Sequence, residues 1–224
     1  MVKKDEIYFL HIPKTGGHWV VREILDVIRD DIVIFDKIAH YAWTPVTESS
    51  YLIGTWRDPA KRTVSHYCWL IHENLISQEK LTINDFFDWV EENKNFLANF
   101  QSKNILSNGN AHGMFFADDY TFKGIFKINE EVLFERIRSF EVFLRDNQLN
   151  EKTASLIVDK IYADFPETVR KIKHRYENRG HNTNDSSKNL FNMLNKEEIE
   201  MLHHLNDVDS KVYFDNSLFW NEGK

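Results

Sequence analysis

Three observations predict an α/β fold with a central parallel sheet flanked by helices. A β-branched and aromatic run, Ile7-Tyr8-Phe9-Leu10-His11-Ile12, ends at Pro13 and Gly16-Gly17, which marks a buried strand closing in a tight loop. After the loop, Val20/Val21, Ile24/Leu25 and Ile28 recur at helical spacing over residues 17–29. Two further runs rich in Ile, Val, Tyr and Phe, residues 31–38 and 50–57, follow as strands, and strands joined by a crossover helix pair in parallel.

The remaining elements follow in chain order. Asp58-Pro59 opens a helix to about Ser77, since Asp58 can cap free N–H groups and Pro59 at the first position loses nothing by lacking one. Thr82-Ile83-Asn84-Asp85 resembles a capping box and starts a helix whose Phe86, Phe87, Trp89, Val90, Phe96, Leu97 and Phe100 supply core. Residues 101–119 are polar, contain Gly109 and Gly113, and read as a loop or broken helix over a site. Residues 120–128 form a candidate fourth strand, and 131–147 a helix with Val132, Leu133, Ile137, Phe140 and Leu144 inward. Residues 178–188 contain no apolar side chain and read as a loop suited to closing over a ligand, and 196–206 as the last helix.

With 224 residues, 42% of them hydrophobic, the chain can bury one sizeable core, so residues 1–224 are read as a single domain. Its formal charge of −7 offers no electrostatic footprint for nucleic acid, and any bound anion must be held in a local pocket. The single Cys68 excludes an internal disulfide framework and fits a reducing compartment. The apolar stretch at residues 7–12 is far too short for a signal segment or a membrane span, so the expectation is a soluble, cytoplasmic chain.

Chemistry enters after the first strand. Pro13-Lys14-Thr15-Gly16-Gly17 precedes a helix, a layout that offers free backbone N–H groups to an anion. The glycines permit close approach, Lys14 adds a point charge and Thr15 a hydroxyl donor. In the kinase-type P-loop the Lys follows the glycines; here it precedes them. A second element, Arg57-Asp58-Pro59-Ala60-Lys61-Arg62-Thr63-Val64-Ser65, places an Arg at a strand end and a Ser two turns into the next helix, a fork suited to a phosphate dianion.

On these two motifs the chain resembles the sulfotransferases that use 3'-phosphoadenosine 5'-phosphosulfate (PAPS). His11-Ile12-Pro13-Lys14-Thr15-Gly16-Gly17 is similar to the 5'-phosphosulfate loop of the carbohydrate branch, and Trp19 fits the cytosolic variant. The resemblance implies a P-loop-like sulfotransferase fold and a nucleotide held by Lys14, Thr15, Gly16, Gly17, His18 and Trp19 at its 5' end. It implies that Arg57 and Ser65 hold the 3'-phosphate. His18 stands where Thr is usual, although an imidazole N–H can still donate to a phosphate oxygen. Weaker resemblance covers residues 99–103 and 121–133, with Lys127 where family members often carry Glu.

Sulfuryl transfer needs positioning and charge stabilisation more than covalent chemistry. His40, just after the second strand, stands where the family places a His base, and Lys14 is the cation for the leaving group. His11, His66 and His112 compete for the base role. The expected co-substrate is PAPS, the product 3'-phosphoadenosine 5'-phosphate (PAP), with no metal. The acceptor is a hydroxyl on a sugar, a lipid or a small molecule. A Mg²⁺-dependent P-loop kinase or nucleotidase and a non-catalytic nucleotide-binding module are the alternatives.

Overall fold

The computed structural model describes residues 6–28, 34–35, 50–106, 128–165 and 184–221. Among these, four strands form one parallel sheet in the order β2-β1-β3-β4: β1 Glu6–Leu10, β2 Ile34–Phe35, β3 Ser50–Trp56 and β4 Val142–Arg145. Leu10 lies beside Gly54 and Trp56 beside Arg145, so the carboxyl ends of β1, β3 and β4 share one edge. Ligands of open α/β sheets gather at such an edge.

Side-chain alternation along the strands feeds a separate layer on each face. Ile7, Phe9, Tyr51, Ile53, Val142 and Leu144 pack against the helical stretch after β1 and against α7 Glu151–Asp164, through Val20, Ile24, Ile28, Ile157 and Ile161. That stretch comprises α1 Gly17–Val20, a π-helical turn Val21–Leu25 and α2 Asp26–Ile28. On the opposite face, Trp56 and Phe143 meet α5 Phe100–Leu106, α6 Glu130–Arg138 and α10 Asp207–Phe214, through Phe100, Ile105, Leu133, Ile137, Val208 and Val212. A third cluster joins α3 Pro59–His72, α4 Ile83–Leu97, α8 Asn184–Met193 and α9 Lys196–Leu205. Cys68 is buried there, and burial pushes its thiol up to about 11.

Local sequence accounts for several boundaries. The Asp58 carboxylate accepts from Ala60 N (2.9 Å) and Lys61 N (3.1 Å) and caps α3. That helix ends at His72, short of the expected Ser77, because Asn74 turns left-handed (φ 59°) and Leu75 N–H closes on Leu70 O at 2.9 Å. Thr82 caps α4 by accepting from Asp85 N.

Elsewhere long-range packing overrides the local pattern. The helix expected over 131–147 stops at Arg138, where Ser139 and Phe140 bond back to Arg136 and Ile137; Val142-Phe143-Leu144 then pairs with β3. Val132, expected inward, is 45% exposed. Residues 101–106, at the start of the segment read as a loop or broken helix, belong to the buried helix α5, and residues 184–188, read as loop, begin α8. Residues 120–127 of the strand expected at 120–128 and residues 178–183 of the expected closing loop lie outside the described residues. Among the described residues, no helix is long and apolar enough to cross a membrane.

Gly54 shows how tightly the second layer is set. A Cβ on it would sit 2.6 Å from Phe140 Cε1 and 3.0 Å from Phe143 Cδ2. Gly54→Ala is expected to cost about 1–3 kcal/mol through overpacking, read as a lower urea midpoint with an unchanged slope.

Candidate functional site

The loop after β1 is held in a conformation that its composition makes possible. Lys14 adopts φ 67° and Gly16 φ 106°, two left-handed positions that reverse the chain between β1 and α1. For Lys14 this conformation is uncommon, and outliers of this kind concentrate at binding sites. Close approach explains both glycines. A Cβ on Gly16 would meet Leu149 Cδ1 at 2.4 Å, and one on Gly17 would meet His11 Nε2 at 2.0 Å. The His11 ring is itself stacked on Phe9, with centroids 5.5 Å apart.

Thr15 is buried, and its hydroxyl donates to Ile12 O at 2.7 Å. That engages its one proton, so the 2.8 Å contact with Thr55 Oγ1 is one in which Thr55 donates. Thr15 therefore braces the loop onto β3, and a hydroxyl donor for phosphate requires that brace to open.

Arg57 leaves β3 at the shared edge and reaches back to this loop. Its guanidinium Nη1 donates to Lys14 O at 3.1 Å, which joins the two motifs. Its peptide is clamped on both sides by one side chain. Arg57 N–H donates to Gln101 Oε1 at 3.0 Å, and Gln101 Nε2 donates to Arg57 O at 2.9 Å. Gln101 is fully buried in the first turn of α5, where helix N–H groups lack intrahelical partners.

Asp209 of α10 supplies those partners. Its carboxylate accepts from Gln101 N (2.9 Å), from Ser102 N (2.8 Å) and from the Ser102 hydroxyl, which donates at 2.5 Å. The arrangement is reciprocal: Asn99, in a left-handed conformation (φ 51°), accepts on Oδ1 from Val208 N (2.9 Å) and Asp209 N (3.2 Å). Thus α5 and α10 cap one another's N-termini. Trp56, beneath them, donates its indole N–H to Asp209 O at 3.2 Å.

The electrostatics are those of a site short of negative charge. The Lys14 ammonium is pushed down to about 8, first by burial and then by the Arg57 charge. Burial lowers Arg57, with Asp146, Asp58 and Tyr213 opposing, and burial lowers His18 with Lys14 adding to it. Asp209 is raised by burial against the donors of Ser102 and Gln101 and the charge of Arg62. Arg62 is pushed down to about 9 by burial, with Asp209 opposing and Arg57 reinforcing.

The structure brings Lys14, Thr15, Gly16, Gly17 and Arg57 together. His18 is exposed in the first turn after them, Trp19 is half-buried against the core below the sheet, and Ser65 is buried one turn beyond Arg62. His66 lies in the core against Trp69 (5.8 Å), Trp89 (5.7 Å) and Phe96 (6.1 Å). His203 pairs with Asp58 Oδ1 at 3.1 Å while His204 is exposed, so these neighbours do face apart. His40, His112 and Lys127 lie outside the described residues. Sequence reasoning missed Gln101, Asp209 and Arg62. The only signal was the position of Gln101 within the 99–103 segment and of Arg62 between Arg57 and Ser65.

The depressed Lys14 gives a pH test. In the ligand-free fold it binds fewer protons than the unfolded chain between about 8 and 10.5, so stability from this group rises with pH across that window. Anion binding favours the charged form and takes up a proton there. Affinity for inorganic phosphate or PAP is therefore expected to fall above pH about 8, by up to about tenfold per unit. Titration calorimetry in buffers of different ionisation enthalpy reads both effects, and Lys14→Arg should flatten the profile.

Comparison with protein-family models, with curated proteins and with solved structures finds no match for this chain.

Proposed function

We propose that the chain is a PAPS-dependent sulfotransferase that moves a sulfuryl group to an acceptor hydroxyl on a sugar, a lipid or a small molecule. The observation that carries this reading is the 3.1 Å bond from Arg57 Nη1 to Lys14 O. A loop for the 5'-phosphosulfate and a segment for the 3'-phosphate can serve one nucleotide only if they adjoin, and this bond joins them.

In the proposed reaction the acceptor oxygen attacks sulfur as the bond from sulfur to the phosphate oxygen breaks, and PAP leaves. Lys14, close to the Arg57 charge, steadies the negative charge that grows on that leaving oxygen. The clamp from Gln101 holds Arg57 in place before substrate arrives, so little reorganisation is needed at the moment of transfer. The acceptor proton passes to a base, for which His40 is the candidate.

A Mg²⁺-dependent kinase or nucleotidase would draw on Asp146, which follows β4 at the same edge. Its carboxylate already accepts from Tyr213 Oη at 2.9 Å, and Lys14 precedes rather than follows the glycines. The observations favour the sulfotransferase.

Melting shifts with PAP, AMP and ATP·Mg²⁺ test the donor, because a ligand that binds only the folded state stabilises it. PAP should give the largest shift, and Arg57→Ala should lose most of the preference for PAP over AMP. An Arg57→Ala protein that binds PAP as tightly as the parent removes the 3'-phosphate assignment, and a larger shift with ATP·Mg²⁺ than with PAP favours the kinase. Labelled PAPS offered to pooled glycan, lipid and phenolic acceptors identifies the acceptor. With that acceptor, His40→Ala should lower turnover roughly 100-fold while PAP affinity stays nearly unchanged; unchanged turnover rejects His40 as the base.

A further inference from the structure

Arg62 is the charged group that the structure leaves least explained. It sits in the second turn of α3 and is 1% exposed, yet among the described residues none of its three guanidinium nitrogens has a hydrogen-bond partner. Its guanidinium carbon lies 3.7 Å from the centre of the Phe100 ring. A stack of this kind holds the group in place through its face and leaves its N–H fork open at the edge. Burying a cation without acceptors is expensive, and a buried polar group left unpaired calls for an explanation such as a role at a site.

The neighbourhood indicates what that role is. Arg62 is close enough to Arg57 and Lys14 that the Arg57 charge lowers Arg62 and the charges of Arg57 and Arg62 both lower Lys14. The carboxylate opposing Arg62, Asp209, is already engaged by the N-terminus of α5. Arg62 and Ser65 stand three residues apart on one helix, on the same face, and both are buried.

We infer that Arg62 is a further ligand of this anion site, an N–H fork that together with Arg57 receives a dianionic phosphate monoester. On the reading proposed above, which this inference deepens, that group is the 3'-phosphate of the nucleotide. One guanidinium meets a dianion at one edge; two from neighbouring elements meet it at two, which selects a terminal phosphate over a diester.

The test uses Arg62→Met, which keeps volume and removes the buried charge, with Arg62→Lys as a second variant. If the group serves binding, the ligand-free Arg62→Met protein melts at or above the parental temperature, because Asp209 keeps its other donors. PAP should then bind about tenfold more weakly or worse, while AMP, which lacks the 3'-phosphate, changes less than about twofold. Parental PAP affinity in Arg62→Met overturns the inference, as does an equal loss for PAP and AMP. If Arg62→Met does not fold, Arg62→Lys decides: a selective loss of PAP affinity supports the inference, and parental affinity overturns it. A parent that binds PAP no more tightly than AMP sinks the donor reading alone. The melting shift with inorganic phosphate then decides on Arg62. A smaller shift in the variant than in the parent sustains the inference, and an equal shift, or none in either, overturns it.

Discussion

The placement of Arg57 at the carboxyl edge of the sheet depends on one buried carboxylate. Asp209 satisfies the first turn of α5, and only with that turn fixed can Gln101 present its amide to both sides of the Arg57 peptide. Each amide bond taken singly contributes modestly, but an unmade one leaves a buried donor or acceptor exposed to no water. The network is therefore cooperative: its loss at one point leaves several groups unpaired. Arg57 inherits that rigidity, and so does the Lys14 carbonyl that it holds.

The strand, loop and helix that carry Lys14 were legible because their signals are local: β-branched residues, two glycines and a helical repeat within about thirty residues. Asp58 and Pro59 likewise announce α3 through adjacent backbone groups. What escaped has partners far along the chain. Gln101 and Ser102 look like loop residues because they are polar, and they are buried only because Asp209 is there to receive their N–H groups. Val142-Phe143-Leu144 continues the helical spacing of Leu133, Ile137 and Phe140, and only the open edge of β3 makes it a strand. Arg62 is buried only once α5 is folded over it. The resemblance in two short motifs pointed to a nucleotide site; the groups that hold those motifs rigid were not in the motifs.

A contrast of charge runs through the molecule. The chain as a whole is acidic, with a formal charge of −7, yet Lys14, Arg57 and Arg62 lie within mutual electrostatic reach at one place. The overall field does not draw anions in, so the proposed recognition would rest on short-range fit, where a desolvated donor is worth most. That is the setting in which a buried cation discriminates between phosphates of different charge.

The reciprocal capping of α5 and α10 spans 108 residues between Gln101 and Asp209. During synthesis β3 and the loop that carries Lys14 emerge long before α10, so this arrangement cannot be completed until nearly the whole described chain has left the ribosome. Contacts of such sequence separation are slow to form because the intervening chain must first be ordered. Until then, Arg57 and Arg62 can take up water instead of their final surroundings, and the cluster of cations is a late product of folding that a growing chain cannot use early.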